Sequence, residues 1–319
     1  MIRILNVEPL AYSETAREIL RQVGQVNDAP LSRQELVAQL GDYDVLIVRL
    51  GHQIDREVID AGTRLKAIVS ATTGLDHIDV EYARARGIMI LSLQGETEFL
   101  RTISATAEHT WALLLSLLRH IPSAFASVCN GEWDRDRFRG HELNGKRLGI
   151  VGLGRIGQKV ARYGFAFGMS VAAFDPLADE WLSEVARVES LDELLAVSDV
   201  LTLHIPLRKE THGLIDARAL SLLPVGAILV NTSRGEIVDE TALMQALTNG
   251  HLAGAALDVI HHERDSQLRR ASPLFEYARA HNHLLITPHI GGATFESMAR
   301  TEIFMAEKLT GLIKTMRQA

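Results

Sequence analysis

The chain has 319 residues, enough for about two domains that each bury a core of their own. Its 47% hydrophobic and 23% charged content is that of an ordinary globular protein, and a net charge of −7 speaks against a nucleic-acid partner. A single cysteine, Cys129, excludes a disulfide within the chain and any multi-cysteine zinc site, and it suits a reducing compartment.

The opening run MIRILNVEPL is too short for the core of a signal peptide and turns polar at Glu8. No stretch approaches the length of a membrane span, so the expectation is a cytoplasmic protein without membrane contact. Short apolar runs at residues 2–7, 45–48, 67–69 and 88–91 alternate with helical patterns at 13–23, 56–61 and 80–86. Strands that alternate with helices pair in parallel through crossovers, so this part predicts an α/β domain. Residues 92–102 carry no periodicity and read as a connector. A helix is expected over 104–120; it is apolar on more than one face, so it is buried all round or faces another subunit. The polar stretch to Asn144 follows, with Trp133 and Phe138 interspersed.

Residues 146–175, KRLGIVGLGRIGQKVARYGFAFGMSVAAFD, hold the most specific pattern. An apolar run at 148–151 turns through Gly152, Gly154 and Gly157 into a helix, and a second apolar run ends on Asp175. Gly152 permits the tight turn, Gly154 allows close approach of a pyrophosphate, and Gly157 allows the helix to pack on the strand. Phosphates then lie at the positive end of the helix. Asp175, 18 positions beyond Gly157, is placed to accept hydrogen bonds from an adenosine ribose and to repel a 2′-phosphate. NAD is therefore expected over NADP.

Further on, strand-like runs appear at 200–204, 227–230, 253–259 and 284–287, with helices at 191–197 and 239–249 and a final amphipathic helix at 295–313. Ser190 and Glu193 read as a capping box. The fold class expected is α/β, with two Rossmann-like, doubly wound parallel-sheet domains and a cleft between them. Residues 1–100 plus 292–319 are expected to form a substrate-binding, flavodoxin-like domain, and residues 101–291 an NAD-binding Rossmann domain.

Three polar residues interrupt apolar contexts at strand ends: Arg234 in NTSRGEIVDE, Glu263 after LDVIHH, and His289 in TPHIGGAT. Reduction of a 2-oxo acid by hydride needs a proton donor, a carboxylate to orient it, and an arginine to hold the substrate carboxylate in a bidentate grip. His261 and His262 are adjacent and cannot easily share a tetrahedral ion, so no metal is expected. Cys129 has no histidine at useful spacing and reads as inert.

GLGRIG with Asp175, HIPL at 204–207, NTSRG, ALDV with Glu263, and PHIGGAT occur in that order. Together with TTGLDHIDVEYARARGI and AEHTWALLLSL they resemble the D-isomer-specific 2-hydroxyacid dehydrogenases over nearly the whole chain. The resemblance implies an NAD-dependent interconversion of a D-2-hydroxy acid and its 2-oxo acid, with His289 as acid/base, Glu263 as its partner and Arg234 as the substrate clamp. It also implies that Asp258 binds the nicotinamide carboxamide. Arg155, Ile156, His204, Pro206, Thr211, Thr232, Ser233 and Gly291 would line the cofactor. Backbone N–H groups at Thr72, Thr73 and Gly74 would meet the substrate carboxylate, with Arg49 near the substrate's far end unless it pairs with an acid. A homodimer through the 104–120 region is implied as well.

Two departures stand out. Thr72 occupies a place where the family commonly has glycine, and Arg264 follows Glu263 where proline is usual. The polar, basic stretch 261–270 either shapes the entrance for an acidic substrate or is a solvated loop. The chain stops after its last helix, so no C-terminal regulatory domain is expected. The same fold also serves NAD-sensing co-repressors that catalyse nothing, and enzymes acting on formate or phosphite.

Overall fold

A computed structural model describes residues 1–178 and 180–318. The chain forms two compact units, Met1–Ile103 with Thr294–Ala319, and Ser104–Ala293.

The first unit is a five-stranded sheet of β1 (Ile2–Asn6), β2 (Gly24–Asp28), β3 (Val45–Val48), β4 (Ala67–Ser70) and β5 (Met89–Ser92), in the order β2-β1-β3-β4-β5 with every pair parallel. Strands covered on both faces read as continuous apolar runs, and β3 and β4 are buried at every position. Ile4, Val45, Ile47, Ala67 and Val69 pack on one face with Leu20, Met305 and Leu309, while Leu5, Leu46, Val48 and Ile68 pack on the other with Leu36 and Ile59. Side chains of successive residues point to opposite faces, which divides each strand between two cores. The connections diverge between β1 and β3, so the crevice at the carboxyl ends of these strands is the expected ligand position. Glu8, after β1, accepts the N–H of Arg49, after β3, at 2.9 Å.

In the second unit, seven strands lie in the order β12-β11-β10-β9-β6-β7-β8 and again pair in parallel. They are β6 (Arg147–Val151), β7 (Ser170–Phe174), β8 (Ala186–Arg187), β9 (Val200–Leu203), β10 (Ala227–Asn231), β11 (Leu252–Leu257) and β12 (Leu284–Ile286). Here the connections diverge between β6 and β9. The helix Ala105–Leu118 buries Ala107, Trp111, Leu114 and Leu118 among others, against Ile150, Val171 and Val230, and Trp111 stacks on Phe167 at 4.8 Å between ring centroids. Both units are thus α/β, with parallel sheets of five and seven strands.

Several elements differ from expectation. β2, with the sequence GQVND, has one apolar side chain and forms because β1 offers it a parallel edge. The helices Arg33–Gln39, Thr97–Arg101, Ile121–Cys129, Ala217–Leu222 and Pro273–Ala280 are too short or too mixed to show a period. Stretch 261–270 contains the helix Ser266–Arg270, capped by the Asp265 side chain. The capping box at Ser190 is half made: its hydroxyl accepts the Glu193 N–H, but the Glu193 carboxylate takes the N–H of Glu189. The last helix is longer than expected, Phe295–Gln318, and its buried stripe centres on Met305, Leu309 and Ile313, with Met298 and Leu312 half-buried. No single described helix is long and apolar enough to cross a membrane.

Candidate active site

The glycine turn follows β6 at the divergence point. Gly152 has φ +91°, a left-handed conformation that glycine adopts freely, and a Cβ there would meet the carbonyl oxygen of His204. At Gly157 a Cβ would collide with the Gly152 carbonyl, so the helix Arg155–Ala166 seats on the turn only because this residue is glycine. Gly154 has open space where its Cβ would be. That opening lies at the amino end of the helix, where unpaired N–H groups and the helix dipole favour an anion. Arg155 stands beside it, half-buried with no ion-pair partner among the described residues, and burial lowers its pKa.

Asp175, at the end of β7, accepts N–H groups from Leu153 at 2.8 Å and Leu177 at 3.0 Å. The carboxylate therefore braces the glycine turn and retains lone pairs for further donors. His204, directly after β9, has neither ring nitrogen hydrogen-bonded, and burial pushes its pKa from 6.5 to about 3. Its imidazole is neutral. The Pro206 carbonyl is taken by the Thr211 hydroxyl at 2.8 Å, and Thr232 and Thr110 hydroxyls lie 2.9 Å apart. Ser233 donates both its N–H and its hydroxyl to the Asn231 side chain, and Ile156 packs on the core beneath the helix.

At the carboxyl ends of β10, β11 and β12 the remaining residues gather. Arg234 is held through Nη1 to the Ser233 carbonyl at 2.7 Å, and its own carbonyl accepts from Asn231. His289 Nδ1 lies 2.7 Å from Glu263 Oε1; both side chains are about a fifth exposed, at 23% and 20%, and Glu263 Oε2 is buried without a hydrogen bond. His289 has φ +54°, a strained conformation for a residue with a Cβ. Its N–H bonds the Asp258 carbonyl at 2.8 Å, and the next two N–H groups, of Ile290 and Gly291, bond the Asp258 carboxylate at 2.8 and 2.7 Å. Asp258 thus supplies the hydrogen bonds that keep the turn in this conformation.

Asp258 is 1% exposed. Burial pushes its carboxyl up, but donors from His109, Thr287, Ile290 and Gly291 outweigh that, leaving it below the usual range. The Thr287 hydroxyl donates at 2.6 Å and His109 Nε2 lies 3.2 Å away. His109 is a site residue that motif reading passed over; its signal was a lone imidazole inside an apolar helix.

In the first unit, Arg49 and the loop of Thr72, Thr73 and Gly74 follow the adjacent strands β3 and β4. Arg49 pairs through Nη2 with the buried Glu302 carboxylate and reaches the Leu10 carbonyl through Nη1 at 3.2 Å. Burial raises the Glu302 pKa. His261 Nε2 lies 2.9 Å from the Val238 carbonyl. Among the described residues, no group of three or more His, Cys, Asp or Glu is placed to hold a metal ion.

A glycine turn between strand and helix, an acid closing the next strand, and a divergence point above both define a dinucleotide-binding unit of the doubly wound class. Residues 111–291 match the NAD binding domain of the D-isomer specific 2-hydroxyacid dehydrogenases. The chain belongs to this family, whose domain binds NAD. It is 38% identical to D-3-phosphoglycerate dehydrogenase of Methanocaldococcus jannaschii over 98% of its own length, and it spans 58% of that relative's length. It is 35% identical to hydroxypyruvate reductase of Thermotoga maritima, covering 95% of each chain. D-lactate dehydrogenase from Aquifex aeolicus, solved with NAD and lactic acid, superposes with a TM-score of 0.84 at 30% identity, covering 98% of this chain and 96% of that one.

Proposed function

We propose that the protein is an NAD-dependent oxidoreductase that interconverts a D-2-hydroxy acid and its 2-oxo acid, with His289 as acid/base. The observation that carries this reading is the 2.7 Å contact between His289 Nδ1 and Glu263 Oε1, which follow β12 and β11, with Arg234 following the next strand of the sheet, β10. With Nδ1–H given to Glu263, Nε2 is the nitrogen left to exchange a proton with substrate oxygen. Glu263 orients the ring and balances the charge of the imidazolium. Arg234 grips the substrate carboxylate, and the N–H groups around Thr72, Thr73 and Gly74 share that anion; Arg49, paired with Glu302, is committed within its own unit and takes no part in the grip. Bound nicotinamide supplies the hydride acceptor for oxidation and the hydride donor for reduction. In reduction, His289 gives its proton to the oxygen of C2 as the alkoxide forms. In oxidation it takes that proton back.

The cofactor contacts assigned to Gly152, Gly154, Arg155, Ile156, Gly157, Asp175, His204, Pro206, Thr211, Thr232, Ser233, Asp258 and Gly291 belong to the same reading. So does a cytoplasmic location, which one cysteine suits. A homodimer is supported by Ile121, Phe125 and Val128, exposed along one stripe of the helix that follows Ala105–Leu118.

The test is NADH oxidation by purified protein with glyoxylate, pyruvate, hydroxypyruvate, its 3-phosphate, 2-oxoglutarate, and branched and aromatic 2-oxo acids, with NADPH in parallel. Turnover of one acid with a strong preference for NADH is the expected outcome. Tight NADH binding with no acid reduced would sink the reading.

A further inference from the structure

The loop Thr72–Thr73–Gly74 rests on a buried line of polar side chains. His77 and Ser70 are both 0% exposed, and Thr72 is half-buried above them. His77 Nε2 lies 3.2 Å from Ser70 Oγ, Ser70 Oγ lies 2.9 Å from Thr72 Oγ1, and Thr72 Oγ1 donates to the Gly74 carbonyl at 2.8 Å.

Counting protons sets the direction of this line. A hydroxyl has one proton to give. Thr72 spends its proton on Gly74, so Ser70 must donate to Thr72, and His77 must then donate from Nε2 to Ser70. All three bonds run the same way, from the core to the loop, and bonds aligned in this manner polarise one another. The head of the line is anchored, because the His77 carbonyl accepts the Ile54 N–H at 2.7 Å.

The tail of the line fixes two peptide planes. In a planar trans peptide the C=O and N–H point in opposite directions. The Gly74 carbonyl is turned inward to Thr72, so the Leu75 N–H points the other way. The Thr72 carbonyl accepts the Leu93 N–H at 3.1 Å, so the Thr73 N–H points away from β5. Among the described residues neither the Thr73 N–H nor the Leu75 N–H has an acceptor within the chain. Two donors, each held by the carbonyl of its own peptide plane, are suited to an anion.

We propose that His77, Ser70 and Thr72 form a positioning relay that presets the Thr73 and Leu75 N–H groups for the carboxylate of the 2-oxo acid, with His77 as the Nε2–H tautomer. This rests on the function proposed above. The three side chains do not touch the substrate; they hold the peptide planes that do. A threonine hydroxyl here replaces the conformational freedom of glycine with a hydrogen bond, so the loop binds without first being ordered.

The experiment compares Thr72→Val, which keeps the shape and loses the hydroxyl, with Thr72→Ser, which keeps the hydroxyl. The readouts are KM and kcat for the preferred acid, NADH affinity, and the ring 15N shifts of His77 in the wild type. Thr72→Val is expected to raise KM about tenfold, the worth of one lost hydrogen bond, with kcat and NADH affinity within about twofold of wild type. Thr72→Ser should restore KM. An unchanged KM in Thr72→Val, or equal damage in both variants, overturns the relay. Should the wild type reduce no acid, the functional reading fails by itself, and the tautomer still decides the relay: Nε2–H supports it, and a dominant Nδ1–H form overturns it.

Discussion

His289 and Glu263, 26 positions apart in the chain, meet with Nδ1 and Oε1 2.7 Å apart, and the histidine reaches this contact from a left-handed backbone position at φ +54°. The Asp258 carbonyl and carboxylate hold that backbone through three N–H groups, so ring orientation is built in before any substrate arrives. Replacing His289 with alanine should lower kcat about 100- to 10,000-fold while leaving NADH affinity near wild type, as expected for removal of a general acid. Stopped-flow turnover and a fluorescence titration of NADH check this. Near wild-type turnover would remove His289 from the reaction.

Arg234 is expected to hold substrate in both the ground and the transition state. Arg234→Ala should raise KM and lower kcat together. Arg234→Lys should recover little, since a point-like ammonium cannot reproduce a two-pronged grip on a carboxylate. Steady-state kinetics of the three proteins test this, and values unchanged in the alanine variant would exclude the clamp.

Asp175 braces the Leu153 N–H at 2.8 Å, and in the proposed function it also faces the ribose. Asp175→Ala should weaken NADH binding by about 10- to 100-fold, the scale of hydrogen bonds to a charged group. It should also narrow the preference for NADH over NADPH, because the negative charge that repels a 2′-phosphate is gone. Dissociation constants for both cofactors provide the measurement; a preference that stays the same would assign discrimination elsewhere.

His204 makes stability depend on pH. Its folded pKa, about 3, lies below the unfolded value near 6.5 because burial disfavours the charged ring. Between those values the unfolded chain holds a proton that the folded one refuses, so the contribution of His204 to stability is full above pH 6.5 and is lost as pH falls toward 3. The slope is about 1.4 kcal/mol per pH unit at most. His204→Gln should flatten that part of the curve. Urea unfolding of the cofactor-free protein at several pH values, wild type against variant, shows it, and parallel curves would rule it out.

Most strands of both sheets were legible because a parallel strand buried on both faces reads as an apolar run, as β3 does throughout and β4 and β10 do up to their last residues, Ser70 and Asn231. β2 and β8 were not, since an edge strand with exposed positions carries little pattern of its own. The glycine turn could be read from spacing because Gly152 and Gly157 each answer a local steric demand, while Gly154 leaves its side of the turn open. His109 could not: its partner, Asp258, is 149 positions away, and nothing in the sequence near either residue announces the other.

Sequence alone determined that two α/β units form, that one carries a dinucleotide turn closed by Asp175, and that Arg234, Glu263 and His289 stand at strand ends. These follow from periodicity and steric demands acting within a few residues. Tertiary structure alone decided the partners: Glu302 for Arg49, Glu189 in place of the Ser190 cap for Glu193, His109 for Asp258, and the line from His77 to the Thr72 loop. A hydrogen bond depends on distance and angle in space, and residues far apart in the chain acquire those only when packed strands bring their ends together.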